Sequence, residues 1–395
     1  MAPLSRRGFL RGLGAFAGAA GAAACGERAL EAPDRGPGAA GPRAALIHVA
    51  DLFRPHNDPD DHYDLAAVFA LAAQGRLDLL AVMIDHPPPG LNADPDVLAV
   101  AQLNRITGLA APILTGSPKR LEPDEARLPA NRGGAAGVET LLRVMRSSSV
   151  PVAISVVGSC RDVALAGRLD PKLFAAKCAG VYLNAGSGTP DPAKAARLEY
   201  NVALDPASYA AVFDLPCPVY WLPCFEVAPG GGVRFAEGEY GTFYRFRQKL
   251  VLDRLSPRLK NYFAFMFKQG ESDRAYHAET DALRPDWLRA LEGPTDEHLL
   301  ERQGAVVRSM WSTAGFFHAA GLAVDATGAV RDRHDAPGTP VFSFDPIRVR
   351  CGDDGVTEWS PDPGSRDRFM FHVRDRERYP EAMTAALGDL LGSLE

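Results

Sequence analysis

The chain has 395 residues, 46% hydrophobic and 23% charged, with a mean hydropathy of −0.11. It is long enough to bury a large core, and this balance excludes both an intrinsically disordered chain and a polytopic membrane protein. A net charge of −6 argues against a nucleic-acid backbone as the main partner, because neutralising phosphates needs a basic surplus. Six cysteines in a chain this long do not make a disulfide scaffold.

Residues 1–25 read as an address. Arg6-Arg7, after Ser5 and before Phe9-Leu10, resembles a twin-arginine export signal, and the Gly/Ala-rich apolar run from Gly12 to Ala24 is well short of the roughly 20 residues a spanning helix needs. Ala23-Ala24-Cys25 at its end resembles a lipobox, which implies export, periplasmic or cell-surface placement and a lipid anchor on Cys25. The plainer alternative is an alanine-rich leader with an incidental cysteine. Residues 26–43, rich in Gly, Pro and Ala, then form a flexible tether.

From residue 44 the pattern is strand, loop, helix, repeated. Strands are expected at Ala44–Ala50, Leu77–Ile84, Pro112–Leu114, Val152–Val157, Gly180–Asn184 and Pro218–Leu222. Helices are expected at Leu65–Ala73, Val97–Ile106, Gly137–Arg146, Asp162–Arg168 and Pro206–Phe213. Continuous apolar strands separated by helices predict an α/β fold, a largely parallel central sheet covered on both faces. Ligands then bind at the carboxyl ends of the strands. Residues 230–305 read as a helical, aromatic insertion that includes Tyr240–Leu255 and Lys260–Phe267. Val341–Val373 alternates like antiparallel strands, and Tyr379–Leu391 is a closing helix. Cys217 and Cys224 flank a strand-like run that holds them about 23 Å apart, too far for a disulfide. Cys160, Cys178 and Cys351 lack metal-ligand spacing and read as small buried hydrophobes.

Three strand-end loops carry the chemistry. The first, His56–Asp64, places Asp58, Asp60, Asp61 and Asp64 just before a helix. One or two acidic residues there suit the helix dipole; four repel one another unless a cation intervenes, and hard oxygen donors select Ca²⁺ or Mg²⁺ over zinc. An exposed acidic turn capped by Asp64 is the alternative. The second, Val156–Asp162, closes a buried strand, and its Gly158 lets backbone approach a ligand or a neighbouring strand. The third, Leu198–Pro206, sets Glu199 and Asn201 two apart, so that an extended stretch points a carboxylate and an amide to one side, as hydroxyl binding requires. A surface Glu and a turn Asn are the plainer reading.

In order and approximate spacing, Asn57–Asp64, Val157–Pro171 and Glu199–Ala207 resemble the inosine-uridine preferring nucleoside hydrolases, with Asn184-Ala185-Gly186 where that family has Met-Gly-Gly. The resemblance covers roughly residues 44–225 and implies a nucleoside-hydrolase-like domain over 44–395. It implies a Ca²⁺ ion held by Asp58, Asp61, Asp64 and the Val157 carbonyl, with Asp60 or Asp61 taking a proton from the attacking water. Glu199, Asn201 and Asn184 would bind the sugar. The partner it implies is a small nucleoside or glycoside; the leader adds a membrane reached through the lipid anchor alone, and a second copy of the chain is a further option.

The chain also departs from the family. An insertion, Leu52–His56, separates Asp51 from Asn57-Asp58, and Asp85-His86 replaces a family Gly-Asn, so that a sugar-binding asparagine is either missing or moved to Asn92. Trp311-Ser312 stands where the family has His-Asp, removing a late metal ligand. Tyr244, Tyr262, Phe263 and Trp287 are stacking candidates or core, and His277, His298 and His318 are candidate leaving-group acids. Two functions follow: a Ca²⁺-dependent hydrolase of an N-glycosidic or related bond, or a non-catalytic nucleoside- or sugar-binding lipoprotein on the same fold.

Overall fold

The computed structural model describes residues 43–52, 59–85, 96–117, 119–120, 132–191, 193, 198–226, 238–271, 286–335 and 338–395. The leader and tether, with Cys25, lie outside these residues, as do Asp58, Asn92 and His277 and the Trp287 side chain. Among the described residues no helix is long and apolar enough to cross a membrane.

The first half alternates strands and helices. It runs β1 (Ala44–Ala50), α1 (Asp60–Ala73), β2 (Leu77–Ile84), α2 (Asp96–Thr107), β3 (Ile113–Thr115), α3 (Arg132–Ser147), β4 (Val152–Val156), α4 (Arg161–Leu169), α5 (Pro171–Lys177), β5 (Cys178–Asn184), α6 (Tyr200–Leu204), α7 (Pro206–Val212) and β6 (Val219–Leu222). The second half adds β7 (Tyr244–Arg247), α8 (Lys249–Leu252), α9 (Pro257–Glu271), α10 (Asp286–Glu292), α11 (Glu297–Gly304), β8 (Val307–Met310), α12 (Thr313–Ala319), β9 (Leu322–Val324), β10 (Val330–Asp332), β11 (Phe342–Cys351), β12 (Thr357–Pro361), β13 (Arg368–Val373) and α13 (Tyr379–Gly392).

Nine strands form one sheet in the order β12-β11-β13-β6-β5-β4-β1-β2-β3. From β3 to β13 every pairing is parallel, and β11 and β12 add an antiparallel edge. Period-two alternation splits β1 between two cores: Leu46 and Ala50 face one layer, with α1, α12 and α13, and Ala45, Ile47 and Val49 face the other, with α3, α4 and α7. Burial on both faces is why these strands read as near-continuous apolar runs. The chain moves outward from β1 through β2 to β3, then returns to place β4 on the other side of β1. That reversal makes a switch point between the carboxyl ends of β1 and β4, where a doubly wound sheet opens a crevice.

Two local expectations change. Helix α1 starts at Asp60, not Leu65, because the Pro59 carbonyl already accepts from the His62 and Tyr63 N–H groups (3.1 and 3.2 Å); Asp60, Asp61 and Asp64 therefore sit on its first turns instead of in a loop, and Asp64 is no cap. The stretch Tyr240–Leu255 is not one helix. Tyr244–Arg247 pairs antiparallel with Val307–Met310, and alternation buries Tyr244 and Phe246 while Arg247 is exposed. The strands at the carboxyl terminus alternate as expected and join the central sheet: β13 pairs with β6, carrying β11 and β12 as its edge.

Candidate functional site

The carboxyl ends of β1, β2, β4 and β5 bring Asp51, Asp85, Val157–Ser159 and Asn184 to one rim. Backbone hydrogen bonds lock the rim: Val157 N–H donates to the Val49 carbonyl (3.0 Å) and Asp85 N–H to that of Ala50 (2.9 Å). The amino-terminal turns of α1, α4, α6 and α12 contribute Asp60, Asp61 and Asp64, then Arg161 and Asp162, then Glu199 and Asn201, and finally Ser312.

Asp64 is fully buried, and among the described residues neither carboxylate oxygen has a well-formed hydrogen bond. Burial pushes its pKa up to about 8, an effect that the nearby Ser312 hydroxyl partly offsets. Asp61 is also raised well above the carboxylate range, first by burial and then by the charges of Asp60, Asp51 and Asp64. Asp85 is raised by burial and by Asp162 and Asp51, against the favourable Arg161 charge and the Ser159 N–H. Carboxylates crowded in this way must be neutralised by protons or by a cation.

Arg161 is the internal counter-charge. Its guanidinium is buried and donates to Ser159 Oγ (2.9 Å), the Ser117 carbonyl (3.1 Å) and the Leu204 carbonyl (3.3 Å), and it lies 4.0 Å from Asp205. One side chain thus ties the loops after β3 and β4 to the end of α6. Gly158 is required at this rim because a Cβ there would meet Asp85 Oδ2 at 2.6 Å and the Asp51 Cβ at 3.3 Å. The close neighbours its small size admits are these carboxylates.

The three candidate sugar ligands are gathered, but in a way the sequence did not suggest. Glu199 is not followed by an extended stretch; it is the N-cap of α6, accepting from the Asn201 N–H (2.9 Å), the Val202 N–H (3.3 Å) and the Gly186 N–H (3.0 Å). Burial raises its pKa, opposed by these donors and by the Cys224 thiol. Asn201 Nδ2 donates to the carbonyls of Val157 and Asn184, each at 3.2 Å. Asn184 Nδ2 donates to the Leu222 carbonyl (2.9 Å) and Thr242 Oγ1 (3.3 Å), while its Oδ1 accepts from Ser312 Oγ (2.9 Å). Glu199, Asn201 and Asn184 therefore bind loop backbone and one another, and the Val157 carbonyl keeps one lone pair after accepting from Asn201.

Among the described residues no three His, Cys, Asp or Glu side chains are grouped to hold a metal ion. What the described chain does bring together is Asp51, Asp61 and Asp64 as interacting charges, with Asp60 half-buried at the edge. Asp51, Asp85, Arg161 and Cys224 lie among the candidate residues at this rim, and motif matching passed over them. The available signal was position: Asp51 and Asp85 each follow directly on an apolar strand.

The aromatic and histidine candidates fall elsewhere. Tyr244, Tyr262 and Phe263 are core residues, Phe263 stacking on Tyr63 with ring centroids 4.3 Å apart. His298 is exposed on α11. His318 Nδ1 shares a hydrogen bond with Tyr182 Oη (2.9 Å) in an aromatic cluster with Tyr220 and Phe344. Burial lowers its pKa to about 3, so at neutral pH it has no extra proton to give a leaving group.

No protein-family model matches the chain, and no curated protein matches its sequence. Solved structures do match its fold. A plant nucleoside hydrolase superposes over 88% of this chain and 99% of its own with a TM-score of 0.50 at 14% identity. An inosine-uridine preferring nucleoside hydrolase from Bacillus anthracis covers 87% of this chain and 99% of its own, at a TM-score of 0.45 and 11% identity. The type III effector protein XopQ, complexed with adenosine diphosphate ribose, covers 88% and 93% at a TM-score of 0.44 and 12% identity. At such identities the likeness establishes the fold, which is nucleoside-hydrolase-like.

Proposed function

We propose that this chain is a divalent-cation-dependent hydrolase of an N-glycosidic bond, in a ribonucleoside or a related glycoside. The observation that carries the proposal is Asp64, fully buried at the carboxyl-end rim with no group but the Ser312 hydroxyl to offset its burial, beside Asp61 and its crowd of like charges. An all-oxygen donor set with an orphaned carboxylate fits a hard cation, Ca²⁺ foremost. Asp61, Asp64 and the remaining lone pair of the Val157 carbonyl would hold it, with Asp58 as the fourth expected ligand. The cation would supply charge neutralisation and acidify a bound water.

The chain's own groups then divide the work. Asp60 or Asp61 accepts the water's proton as the water attacks the anomeric carbon, and the breaking bond passes through an oxocarbenium-like transition state. Glu199, Asn201 and Asn184 hold the wall on which the sugar hydroxyls rest. The purified protein incubated with a nucleoside panel and Ca²⁺ should release free base and reducing sugar. Release should fall by at least 10²-fold on chelation or in Asp64→Ala; no release from any member, with Ca²⁺ bound, sinks the hydrolase reading.

A binding protein on the same fold is the second reading, favoured by one observation. Ser312 occupies the late position where the resemblance expects a carboxylate, and its hydroxyl is committed to Asn184. Saturable nucleoside binding without turnover in the same assay supports it. The leader extends the proposal to cellular placement: export by the twin-arginine route and membrane anchoring through a lipidated Cys25, tested by intact mass and by loss of the membrane fraction in Cys25→Ala.

A further inference from the structure

Outside the rim just described, the opposite end of the sheet brings two thiols together. Cys178 opens β5, and Cys217 lies two residues before β6, the strand next to it. The two strands are parallel and in register at Val181 and Val219, with the Val181 N–H bonded to the Pro218 carbonyl at 2.9 Å. Counting back from that pair, Cys178 is three residues before Val181 and Cys217 two before Val219. Both side chains are buried in the same core layer, both are free thiols, and they interact side chain to side chain. Adjacent strands are about 4.8 Å apart, inside the separation a disulfide spans.

We propose that Cys178 and Cys217 are an oxidisable pair whose disulfide staples the base of β5 to the base of β6. The closed loop contains Asn184, Glu199 and Asn201, so the bond would tie down the whole segment that forms the site's inner wall. The pairing rests on the sheet geometry and is independent of the catalytic reading. The chemistry needs a small-molecule disulfide such as oxidised glutathione. One cysteine thiolate attacks it, giving a mixed disulfide and one released thiol; the second thiolate displaces the other thiol and closes the protein disulfide. Two protein thiols lose two protons and two electrons, and the oxidant is reduced to two thiols. The facing Cys217 thiol and then burial hold the Cys178 pKa well above its usual range, so closure is slow at neutral pH and faster in mild alkali.

Backbone hydrogen bonding keeps the partners in place. The Cys217 carbonyl accepts from Arg368 Nη1 (2.9 Å), and the same guanidinium holds the Phe213 and Leu215 carbonyls. These bonds tie the segment entering β6 to β13 on one side, while the Val181 N–H bond to the Pro218 carbonyl holds it to β5 on the other.

The test uses the purified full chain, reduced, then equilibrated with oxidised glutathione at about pH 8 in sub-denaturing urea so that the strand ends open locally. Alkylation, digestion and mass mapping should give one cross-linked peptide joining Cys178 to Cys217. The melting temperature should rise by several degrees, return on addition of dithiothreitol, and fail to rise in Cys217→Ser or in Cys178→Ala. If both thiols remain alkylatable after equilibration, or if either cross-links to Cys160, Cys224 or Cys351, the pairing is wrong. The peptide map of the unsubstituted chain decides this even where a variant does not fold.

Discussion

Ser312 Oγ donates to Asn184 Oδ1 at 2.9 Å while standing beside Asp64, whose two buried oxygens make no well-formed hydrogen bond among the described residues. The hydroxyl thus links the amino-terminal turn of α12 to the end of β5 and offsets only part of the cost of burying the Asp64 carboxylate. Ser312→Ala should cost about 1 kcal/mol, the net worth of one buried hydrogen bond. Ser312→Asp should lower the melting temperature in chelator, by adding a second buried charge, and should enlarge the stabilisation produced by Ca²⁺ relative to the unsubstituted chain. Thermal denaturation of the three proteins with and without Ca²⁺ checks both; an unchanged Ca²⁺ response in Ser312→Asp counts against a cation at Asp64.

Arg161 should be the most sensitive buried side chain of the rim. Arg161→Ala removes the positive charge that faces Asp85, Asp162 and Asp205 and strips donors from two loop carbonyls. Breaking a buried ion pair in this way costs about 3–5 kcal/mol. Arg161→Lys should recover little, because an ammonium cannot reproduce a planar fork aimed at three acceptors. Urea denaturation at neutral pH measures both, and a loss under about 1 kcal/mol for the alanine variant contradicts the assignment.

Gly158→Ala should disrupt the rim without touching an apolar core. The added methyl would press on Asp85 Oδ2 and Asp51, forcing apart groups held by backbone hydrogen bonds at the ends of β1 and β2. A loss of about 1–3 kcal/mol is expected from such overpacking. Gly108→Ala is the control for residue type: nothing lies within 4 Å of its added Cβ, and its cost comes from a φ of +69° alone.

His48 should contribute an acid-labile component of stability. It is fully buried in β1, shares a hydrogen bond with Ser155 Oγ through Nδ1 (2.8 Å), leaves Nε2 unpartnered, and has its pKa lowered by burial to about 3. Between the unfolded value near 6.5 and about 3 the unfolded chain binds a proton that the native one refuses. Stability therefore falls as pH falls across that window, by about 1.4 kcal/mol per pH unit for this group. Above pH 6.5 the contribution is level. Subtracting the stability curve of His48→Gln from that of the unsubstituted protein isolates it from the many titrating carboxylates; a flat difference between about pH 4 and 6 refutes it.

The class of fold was legible because both faces of the central sheet are covered. Burial on two sides forces near-continuous apolar runs such as Ala81–Ile84 and Val152–Val156, and the helices between them impose parallel pairing. Local contrasts were harder. Tyr244–Arg247 looks helical in an aromatic region because its strand character comes from a distant partner, Val307–Met310. Glu199 and Asn201 looked like a matched pair of outward ligands because their spacing suits an extended strand. A helix start instead turns the carboxylate back onto three backbone N–H groups.

From the sequence alone came the alternation of elements, the acidic crowding at the start of α1 and the resemblance in three strand-end loops. All three are encoded within windows of a dozen residues, where periodicity and charge repulsion act. Tertiary structure alone decided that Asp51, Asp61 and Asp64 interact, that Arg161 answers Asp85, Asp162 and Asp205, and that Cys178 meets Cys217. Those contacts join segments that are remote in the chain and adjacent in the sheet. Strand order, set by how the helices cover the two faces, brings them together, and no local pattern records it.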